Sequence, residues 1–165
     1  MSSLIPEGTP APDFEADTHD RGRIRLSGFR GRTVVLYFYP KDHTPGCTVE
    51  ACGFRDVFAA LNDLGVVVLG VSKDSVKTHQ SFANKHGLPF SLVSDPDGRI
   101  ISAYGAWKQK SLFGKTALGI RRATFVIGPD GVIRKVFPDV KPAGHAAEVL
   151  DAVRRASGSR EEGAP

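Results

Sequence analysis

The segment from Thr33 to Asp56 constrains the fold of this chain more than any other stretch. It opens with a run of apolar, β-branched and aromatic residues, Val34 to Tyr39, which is typical of a strand buried on both faces. Pro40 ends the run because proline has no amide hydrogen to donate to a central strand ladder. A helix start follows, in which Thr44 suits the N-cap, where its hydroxyl can accept from a first-turn amide, and Pro45 suits the first helical position. The segment therefore predicts a buried strand that leads directly into a helix.

The apolar pattern after Pro45 predicts a long helix that ends near Leu64. Its core-facing stripe consists of residues at helical spacing, namely Phe54, Val57, Phe58, Leu61 and Leu64. Gly65 is placed as a C-terminal stop, and the apolar run at 66–71 predicts a second strand. Strand, helix and strand in this order predict a parallel pair joined by a right-handed crossover.

The rest of the chain completes an α/β pattern. The remaining predicted elements are an extended lead-in at 1–12, a strand at 23–26, a turn at 27–31, a helix at 75–86, a strand at 90–93, a turn at 95–98, a short helix at 100–104, a strand hairpin at 123–127 and 132–137, a helix at 143–155 with Ala147, Leu150 and Val153 inward, and a disordered tail at 157–165. Residues 105–119 show no clear period, and Trp107 and Phe113 within them could line a substrate entrance or simply pack. The pattern fits a thioredoxin-like α/β fold, with a central mixed sheet flanked by helices and extra strands near the N-terminus, in one domain spanning residues 1–165.

Composition excludes several classes of function. The 22 Lys and Arg and 18 Asp and Glu give a net charge of +4 and are scattered along the chain, whereas nucleic acid binding favours a clustered basic face. No apolar run approaches the ~20 residues of a membrane helix, and the N-terminus lacks the regions of a secretory signal. Two cysteines in 165 residues do not form a disulfide framework, so we expect a cytoplasmic protein.

The two cysteines are the chemically notable residues. Cys47 falls in the first turn of the predicted helix, and Cys52 lies five residues further along it. Thiolates rather than thiols attack electrophiles, and helix N-termini favour the thiolate. The helix dipole supplies only about 0.3–1 kcal/mol, so a stable thiolate needs a second positive group, for which Arg122 is a candidate. The alternative is that both cysteines are inert core residues.

A family resemblance favours the reactive pair. Residues 39–56, YPKDHTPGCTVEACGFRD, closely resemble the active-site segment of the peroxiredoxin Q group, also called bacterioferritin comigratory proteins. Pro40, Thr44 and Cys47 match the Pro-x3-Thr-x2-Cys motif of peroxiredoxins, and the Cys-x4-Cys spacing to Cys52 is more specific to this group. The resemblance runs from about Pro6 to Arg155 and includes SDPDG at 94–98, AYGAW at 103–107 and GKTALGIRRATFVIGPDG at 114–131.

The resemblance implies a thiol-dependent peroxidase acting on hydrogen peroxide and organic hydroperoxides. Cys47 would be the peroxidatic residue, oxidised to a sulfenic acid, and Cys52 the resolving residue that forms an intramolecular disulfide with it. Thioredoxin, or glutaredoxin, would reduce that disulfide. The reaction needs no metal, haem, flavin or other cofactor because sulfur carries the redox change, and the family default is a monomer.

The resemblance also assigns the remaining site residues. The arginine directly before the Ala-Thr-Phe-Val-Ile strand is Arg122, with Arg121 as the alternative one residue away. Thr44 would contact the thiolate and the peroxide through its hydroxyl. Pro40 would shield the thiolate from water.

Three other functions remain to be weighed. His43 lies four residues before Cys47 and could serve as the base of a cysteine hydrolase, although a solvated loop residue is the simpler interpretation. A thioredoxin-type disulfide oxidoreductase would use Cys-x-x-Cys, whereas this chain has four residues between its cysteines. A binding or regulatory protein could use the same disulfide as a redox switch. The five histidines show no metal-ligand spacing with the cysteines, so no metal site is expected.

Overall fold

A computed structural model describes residues 3–163 of the chain. The elements in that range are β1 (Glu15–Thr18), β2 (Arg23–Arg25), a 3₁₀ turn (Leu26–Phe29), β3 (Val34–Phe38), α1 (Pro45–Asp63), β4 (Val67–Ser72), α2 (Val76–His86), β5 (Ser91–Ser94), α3 (Arg99–Ala103), β6 (Trp107–Leu112), β7 (Lys115–Ile120), β8 (Ala123–Ile127), β9 (Ile133–Phe137) and α4 (His145–Gly163). None of these helices is long and apolar enough to cross a membrane.

A seven-stranded mixed sheet forms the centre of the fold. The strand order is β2-β1-β5-β4-β3-β8-β9, so the strand that leads to Cys47 lies well inside the sheet. β3 pairs in parallel with β4, Val34 lying opposite Val67, and pairs antiparallel with β8 on its other side. Every residue of β3 is buried, as its unbroken apolar composition predicts. The predicted thioredoxin-like α/β architecture is therefore confirmed, including the added strands β1 and β2 at one edge.

Two apolar layers cover the faces of this sheet. One contains Phe38, Tyr104 and Phe125, and the other lies beneath α1, α2 and α4 and contains Tyr37, Phe54 and Cys47. The Tyr37 ring lies across Gly70 of β4, where a β-carbon would come within 2.7 Å of the ring. At Gly53 of α1, a β-carbon would come within 3.3 Å of the Ala146 methyl of α4, so the small residue lets the two helices pack closely.

The structure corrects several predictions at the ends of elements. Leu64 is 39% exposed because it caps the C-terminus of α1 instead of continuing its buried stripe. In α4 the inward residues are Ala146, Val149, Leu150 and Val153, at 3–4 residue spacing, whereas Ala147 is exposed. α4 continues to Gly163, past the predicted end at Arg155 and into the predicted tail, and residues 164–165 lie outside the described range.

The segment at 105–119, for which the sequence pattern predicts no element, lies largely within a hairpin of β6 and β7. β6 and β7 pair antiparallel from Trp107 opposite Ile120 to Leu112 opposite Lys115, in a two-stranded sheet of their own. Trp107 packs partly against the core and donates from its ring nitrogen to the Ser102 hydroxyl, while Phe113 at the turn is 94% exposed. Most described side chains of the hairpin are exposed on both of its faces, which explains why its apolar residues follow no period.

Candidate active site

Cys47 lies in the first turn of α1 and is 1% exposed. The chain leaves the carboxyl end of β3 and enters α1 at Pro45, in the first turn of the helix. Cys47 follows two residues later. Cys52 lies on the same helix and is half-buried, and both cysteines are free thiols. The regular helix thus holds the two sulfur atoms on different faces, as the spacing predicts.

Arg122 is the cation next to the Cys47 sulfur. Its Nη2 donates to Cys47 Sγ at 3.4 Å, and its Nη1 donates to the Glu50 carboxylate at 2.7 Å. Arg121 points elsewhere and forms two 2.9 Å hydrogen bonds with Asp139, because successive residues entering a strand face opposite sides. Between the two arginines left open by the sequence pattern, the structure brings Arg122 to the cysteine. Gly46 makes room for it, since a β-carbon there would lie 3.2 Å from the guanidinium.

Glu50 is a member of the site that sequence reasoning missed. Its side chain is fully buried and its Oε1 accepts from Arg122, but its Oε2 has no hydrogen-bond partner among the described residues. Burial raises the pKa of Glu50 to about 7, although the positive charge of Arg122 acts in the opposite direction. A signal was available, because a glutamate three residues after Cys47 shares its helix face, which is otherwise apolar.

Thr44 occupies the predicted N-cap but does not make the predicted capping bond. Its hydroxyl donates to the Lys41 carbonyl at 2.8 Å, because the chain turns tightly from Lys41 to Thr44 just before the helix. Pro45 has no amide hydrogen, and the Thr44 carbonyl accepts hydrogen bonds from the amide and the hydroxyl of Thr48. The amides of Gly46 and Cys47 consequently face the start of the helix without an intrahelical acceptor. These amides can stabilise negative charge on Cys47 or on a bound oxygen.

Comparisons with known proteins decide the family. The sequence profile of the AhpC/TSA family matches residues 8–136. The chain is 53% identical over 146 residues to a bcp peroxiredoxin of Coxiella burnetii, covering 88% of this chain and 97% of the relative. It is 44% identical over 147 residues to Peroxiredoxin Bcp of Bacillus subtilis, covering 89% and 94%.

The chain belongs to the AhpC/TSA family, as a peroxiredoxin of the Bcp group. Solved structures agree with the sequence relatives: a peroxiredoxin Q of Xanthomonas campestris superposes with a TM-score of 0.86 at 37% identity, covering 94% of this chain and 98% of the other. A structure of the bacterioferritin comigratory protein of the same organism gives 0.85 at 36% identity, covering 94% and 99%. Peroxiredoxins are thiol-dependent peroxidases, so the enzyme class expected from the sequence is shown, while the redox-switch alternative gains no support.

In this peroxiredoxin, the loop that leads to α1 is held by a buried polar network. Asp42 accepts from the Tyr39 hydroxyl at 2.6 Å and lies 2.6 Å from His79 Nδ1, with both Asp42 and His79 fully buried. His79 Nε2 faces the Val93 carbonyl at 3.0 Å and must carry a hydrogen, since a carbonyl only accepts. The Asp42 amide in turn donates to Asp74. Helix α2 and strand β5 therefore fix the position of residue 42, five residues before Cys47.

Asp42, Asp74 and His79 are also the residues that most resemble a metal site. Their ligand atoms lie within 4.8 Å of one another. The 2.6 Å separation of Asp42 and His79 is a hydrogen bond and leaves no space for an ion between them. This geometry fits a hydrogen-bonded support for the loop.

His43 does not act on Cys47 in this structure. It is exposed, adopts a left-handed backbone conformation with φ of 64°, and contacts the edge of Phe82 at a ring separation of 5.2 Å. No hydrogen bond joins His43 to Cys47 in the part of the chain that the structure describes. The arrangement lacks the paired base of a cysteine hydrolase.

An open cleft of about 240 Å³ lies beside Arg122. Its walls come from the end of β3, the β6–β7 hairpin and the segment before α4, and its lining residues are Pro40, Lys108, Lys110, Ile120, Arg122, Asp139 and Val140. Pro40 and Arg122 thus lie both in the predicted site and on this cleft. The Arg122 side chain is 17% exposed, so it links the cleft to the buried sulfur of Cys47.

Proposed function

We propose that this peroxiredoxin reduces hydrogen peroxide and organic hydroperoxides through a sulfenic acid on Cys47. The Cys47 thiolate attacks the terminal peroxide oxygen, an S–O bond forms, the O–O bond breaks, and the leaving oxygen takes up a proton as water or an alcohol. The observation that carries the proposal is the 3.4 Å contact from Arg122 to the Cys47 sulfur at a helix N-terminus. Arg122 and the amides of Gly46 and Cys47 are donors already aimed at the developing negative charge.

The cleft beside Arg122 is the proposed entrance for the peroxide. Pro40 would keep water away from the thiolate at the inner end of this cleft. The Thr44 hydroxyl donates to Lys41, and its oxygen retains lone pairs that could accept a hydrogen bond from the peroxide. Cys47 is nearly inaccessible from bulk solvent, so a small peroxide group must approach past Arg122.

Cys52 is proposed to resolve the sulfenic acid within the same chain. Its sulfur would attack the Cys47 sulfur, forming the S–S bond and releasing the oxygen as water. Five helical residues place the Cα atoms about 8.6 Å apart, whereas disulfides span at most ~7 Å. The first turns of α1 must therefore open before the disulfide forms.

Thioredoxin is the proposed reductant of this disulfide, with glutaredoxin as the alternative. Its dithiol would return Cys47 and Cys52 to thiols by exchange and leave oxidised itself. We further propose that the protein works as a monomer in the cytoplasm, with one domain spanning residues 1–165 and no cofactor.

Peroxide turnover coupled to thioredoxin, thioredoxin reductase and NADPH tests the proposal. The purified wild-type protein should consume NADPH continuously, and Cys47→Ser should abolish consumption. Cys52→Ser is the matched control, since it should still form the sulfenic acid in a single turnover but fail to be recycled by thioredoxin. Undiminished turnover by Cys47→Ser would refute the mechanism, and a disulfide joining two chains would refute the intramolecular step.

A further inference from the structure

The Arg122 guanidinium is hydrogen-bonded to two acidic groups in the enclosed site around Cys47. Arg122 donates through Nη2 to the Cys47 sulfur and through Nη1 to Glu50. The cysteine is 1% exposed and the Glu50 side chain is fully buried, so water does little to stabilise a charge on either. If both acids were ionised, the buried site would hold two negative charges and one positive charge.

The neighbouring elements supply no second cation in the part of the chain that the structure describes. Tyr37 of β3 has a buried hydroxyl with no partner among the described residues, and burial, together with the negative charge of Glu50, holds its pKa well above its usual range. His145 of α4 has its pKa lowered by burial and, to a smaller extent, by the charge of Arg122, although its hydrogen bond with Glu148 acts in the opposite direction. Asp42, beyond Tyr37, adds negative charge. Tyr37 and His145 are therefore neutral near pH 7, and Arg122 is the one charged group among the described residues that is bonded to both acids.

The hydrogen bonds of Glu50 point to the acid that carries the proton. Oε1 accepts from Arg122, while Oε2 is buried without a partner among the described residues. An ionised carboxylate with one unpaired oxygen in apolar surroundings is costly, and protonation of that oxygen removes the charge. Burial accordingly raises the pKa of Glu50 to about 7, into the range where a second nearby anion would keep it protonated.

We infer that Glu50 holds a proton while Cys47 is a thiolate and releases it when Cys47 becomes a sulfenic acid. Arg122 then balances one negative charge throughout, first on sulfur and afterwards on the carboxylate. The inference rests on the proposed reaction of Cys47 with peroxide. It makes Glu50 a positioning residue that acts through Arg122, since it does not touch the cysteine sulfur or the cleft.

The proton balance of the peroxide step follows. A thiolate, a protonated Glu50 and a hydroperoxide yield a sulfenic acid, an ionised Glu50 and an alcohol. The S–O bond forms, the O–O bond breaks, and the leaving alkoxide gains one proton while Glu50 loses one. The net charge of the buried site does not change, and the enzyme takes up no net proton from solution.

Proton uptake in a single turnover tests this balance. The Cys52→Ser protein stops at the sulfenic acid, and its thiolate content before mixing is measured by ultraviolet absorbance. With the thiolate fully formed, we expect about zero protons taken up per cysteine oxidised, and about one when Glu50→Gln is added. The control substitution Glu15→Gln removes an exposed carboxylate paired with Arg25 and should leave the value near zero. Equal uptake with and without Glu50→Gln would overturn the inference.

Infrared spectroscopy on the reduced protein needs neither peroxide nor a correctly packed Glu50→Gln variant. The Cys52→Ser protein should show a protonated carboxyl band at a pH where Cys47 is a thiolate, and oxidation should remove that band. Cys47→Ser, which has no thiolate to compete for Arg122, should lose the band at lower pH. Absence of the band in the thiolate form would overturn the inference, whereas loss of peroxide turnover alone would overturn only the proposed function.

Discussion

Two buried polar clusters flank the start of α1, and they differ in how completely their hydrogen bonds are satisfied. The support cluster comprises Asp42, His79, Tyr39 and Asp74, and its carboxylate, imidazole and hydroxyl groups find partners within it or on backbone. The thiolate cluster comprises Cys47, Arg122 and Glu50, and its one guanidinium is shared while Glu50 Oε2 has no partner in the described residues.

This difference distinguishes a structural cluster from the proposed reaction centre. A fully satisfied buried network fixes one geometry, because each change of partner would leave an unpaired group. An incompletely satisfied one can change its charges and protonation at lower cost. The two clusters meet at His43, where the left-handed backbone turns the chain from the support cluster into the first turn of α1.

Formation of the disulfide should produce the largest difference between the two clusters, measured as hydrogen-exchange protection. Because the Cys47–Cys52 distance in a helix is too long for a disulfide, the hydrogen-bonded amides at 48–54 should lose nearly all their hydrogen-exchange protection on oxidation. The Tyr39 and Asp42 amides, bonded to Val71 and Asp74, should keep theirs. Hydrogen exchange measured by mass spectrometry or NMR on the reduced and oxidised proteins checks this. Equal protection of the amides at 48–54 in both states would contradict the opening step.

Removal of the shared cation should have the next largest effect. Arg122→Met takes a preorganised donor from the reacting sulfur, so the second-order rate constant for peroxide should fall roughly 10²–10³-fold. Alkylation of Cys47 should also require higher pH, because the thiolate loses its nearest positive charge. Stopped-flow kinetics and pH-dependent alkylation measure both effects.

Arg121→Met is the matched control for that experiment. It removes a guanidinium of the same charge one residue away, which is bonded to Asp139 and not to the cysteine. Its rate constant should stay close to that of the wild type. An effect of Arg121→Met as large as that of Arg122→Met would mean that overall charge, not the contact with sulfur, sets the reactivity.

Breaking the support cluster should lower stability more than chemistry. His79→Leu leaves Asp42 buried without its imidazole partner, and such a loss typically costs about 3–5 kcal/mol in the free energy of unfolding. The exposed pair of Arg23 and Asp17 provides a control, since Arg23→Gln should cost no more than about 1 kcal/mol. Urea unfolding gives both values. A stable His79→Leu protein that has lost its peroxide reactivity would assign the support cluster a direct chemical role instead.

The pH dependence of stability should reveal the raised pKa of Glu50. The folded value of about 7 lies above the ordinary 4.5, so the folded state retains a proton that the unfolded chain loses as pH rises. In a Cys47→Ser background, where no thiolate raises this pKa further, the protein with Glu50 should therefore lose about 3 kcal/mol of unfolding free energy relative to Glu50→Gln between pH 4.5 and about 7, with little further change above. Urea unfolding of both proteins across this range gives the difference. A difference that is constant with pH would contradict the raised pKa.

Local patterns in the sequence predicted the parts of the fold that depend on local chemistry. The apolar run of β3, the Thr44-Pro45 helix start and the position of Cys47 in the first turn are all set by neighbouring residues, and the structure has them. The hairpin of β6 and β7 was missed because its largely exposed strands mix polar and apolar residues without a period, as a solvated loop does. The Thr44 hydroxyl was misassigned because its choice between a capping amide and the Lys41 carbonyl depends on how tightly the preceding loop turns.

The site divides in the same way. Family resemblance identified Cys47 and Arg122 as candidate site residues. The polar contacts around them join segments that are distant in sequence, and only the structure reveals these contacts. Asp42 and His79 are 37 residues apart, and no spacing rule predicts that they meet. Glu50 could have been found, because a charged residue on the buried face of a helix requires a partner, and the only question was which arginine supplied it.

The glycine at position 53 has a consequence for the speed of the catalytic cycle. The missing methyl that lets α4 approach α1 also weakens the helix directly after Cys52, since glycine inside a helix costs about 1 kcal/mol relative to alanine. At constant packing, that difference makes the opened segment about fivefold more populated than in an alanine counterpart. Gly53 thus lets α1 and α4 pack closely at Ala146 and also lowers the cost of opening the helix beside Cys52, so one absent side chain favours both a compact reduced protein and the opening that the proposed disulfide requires.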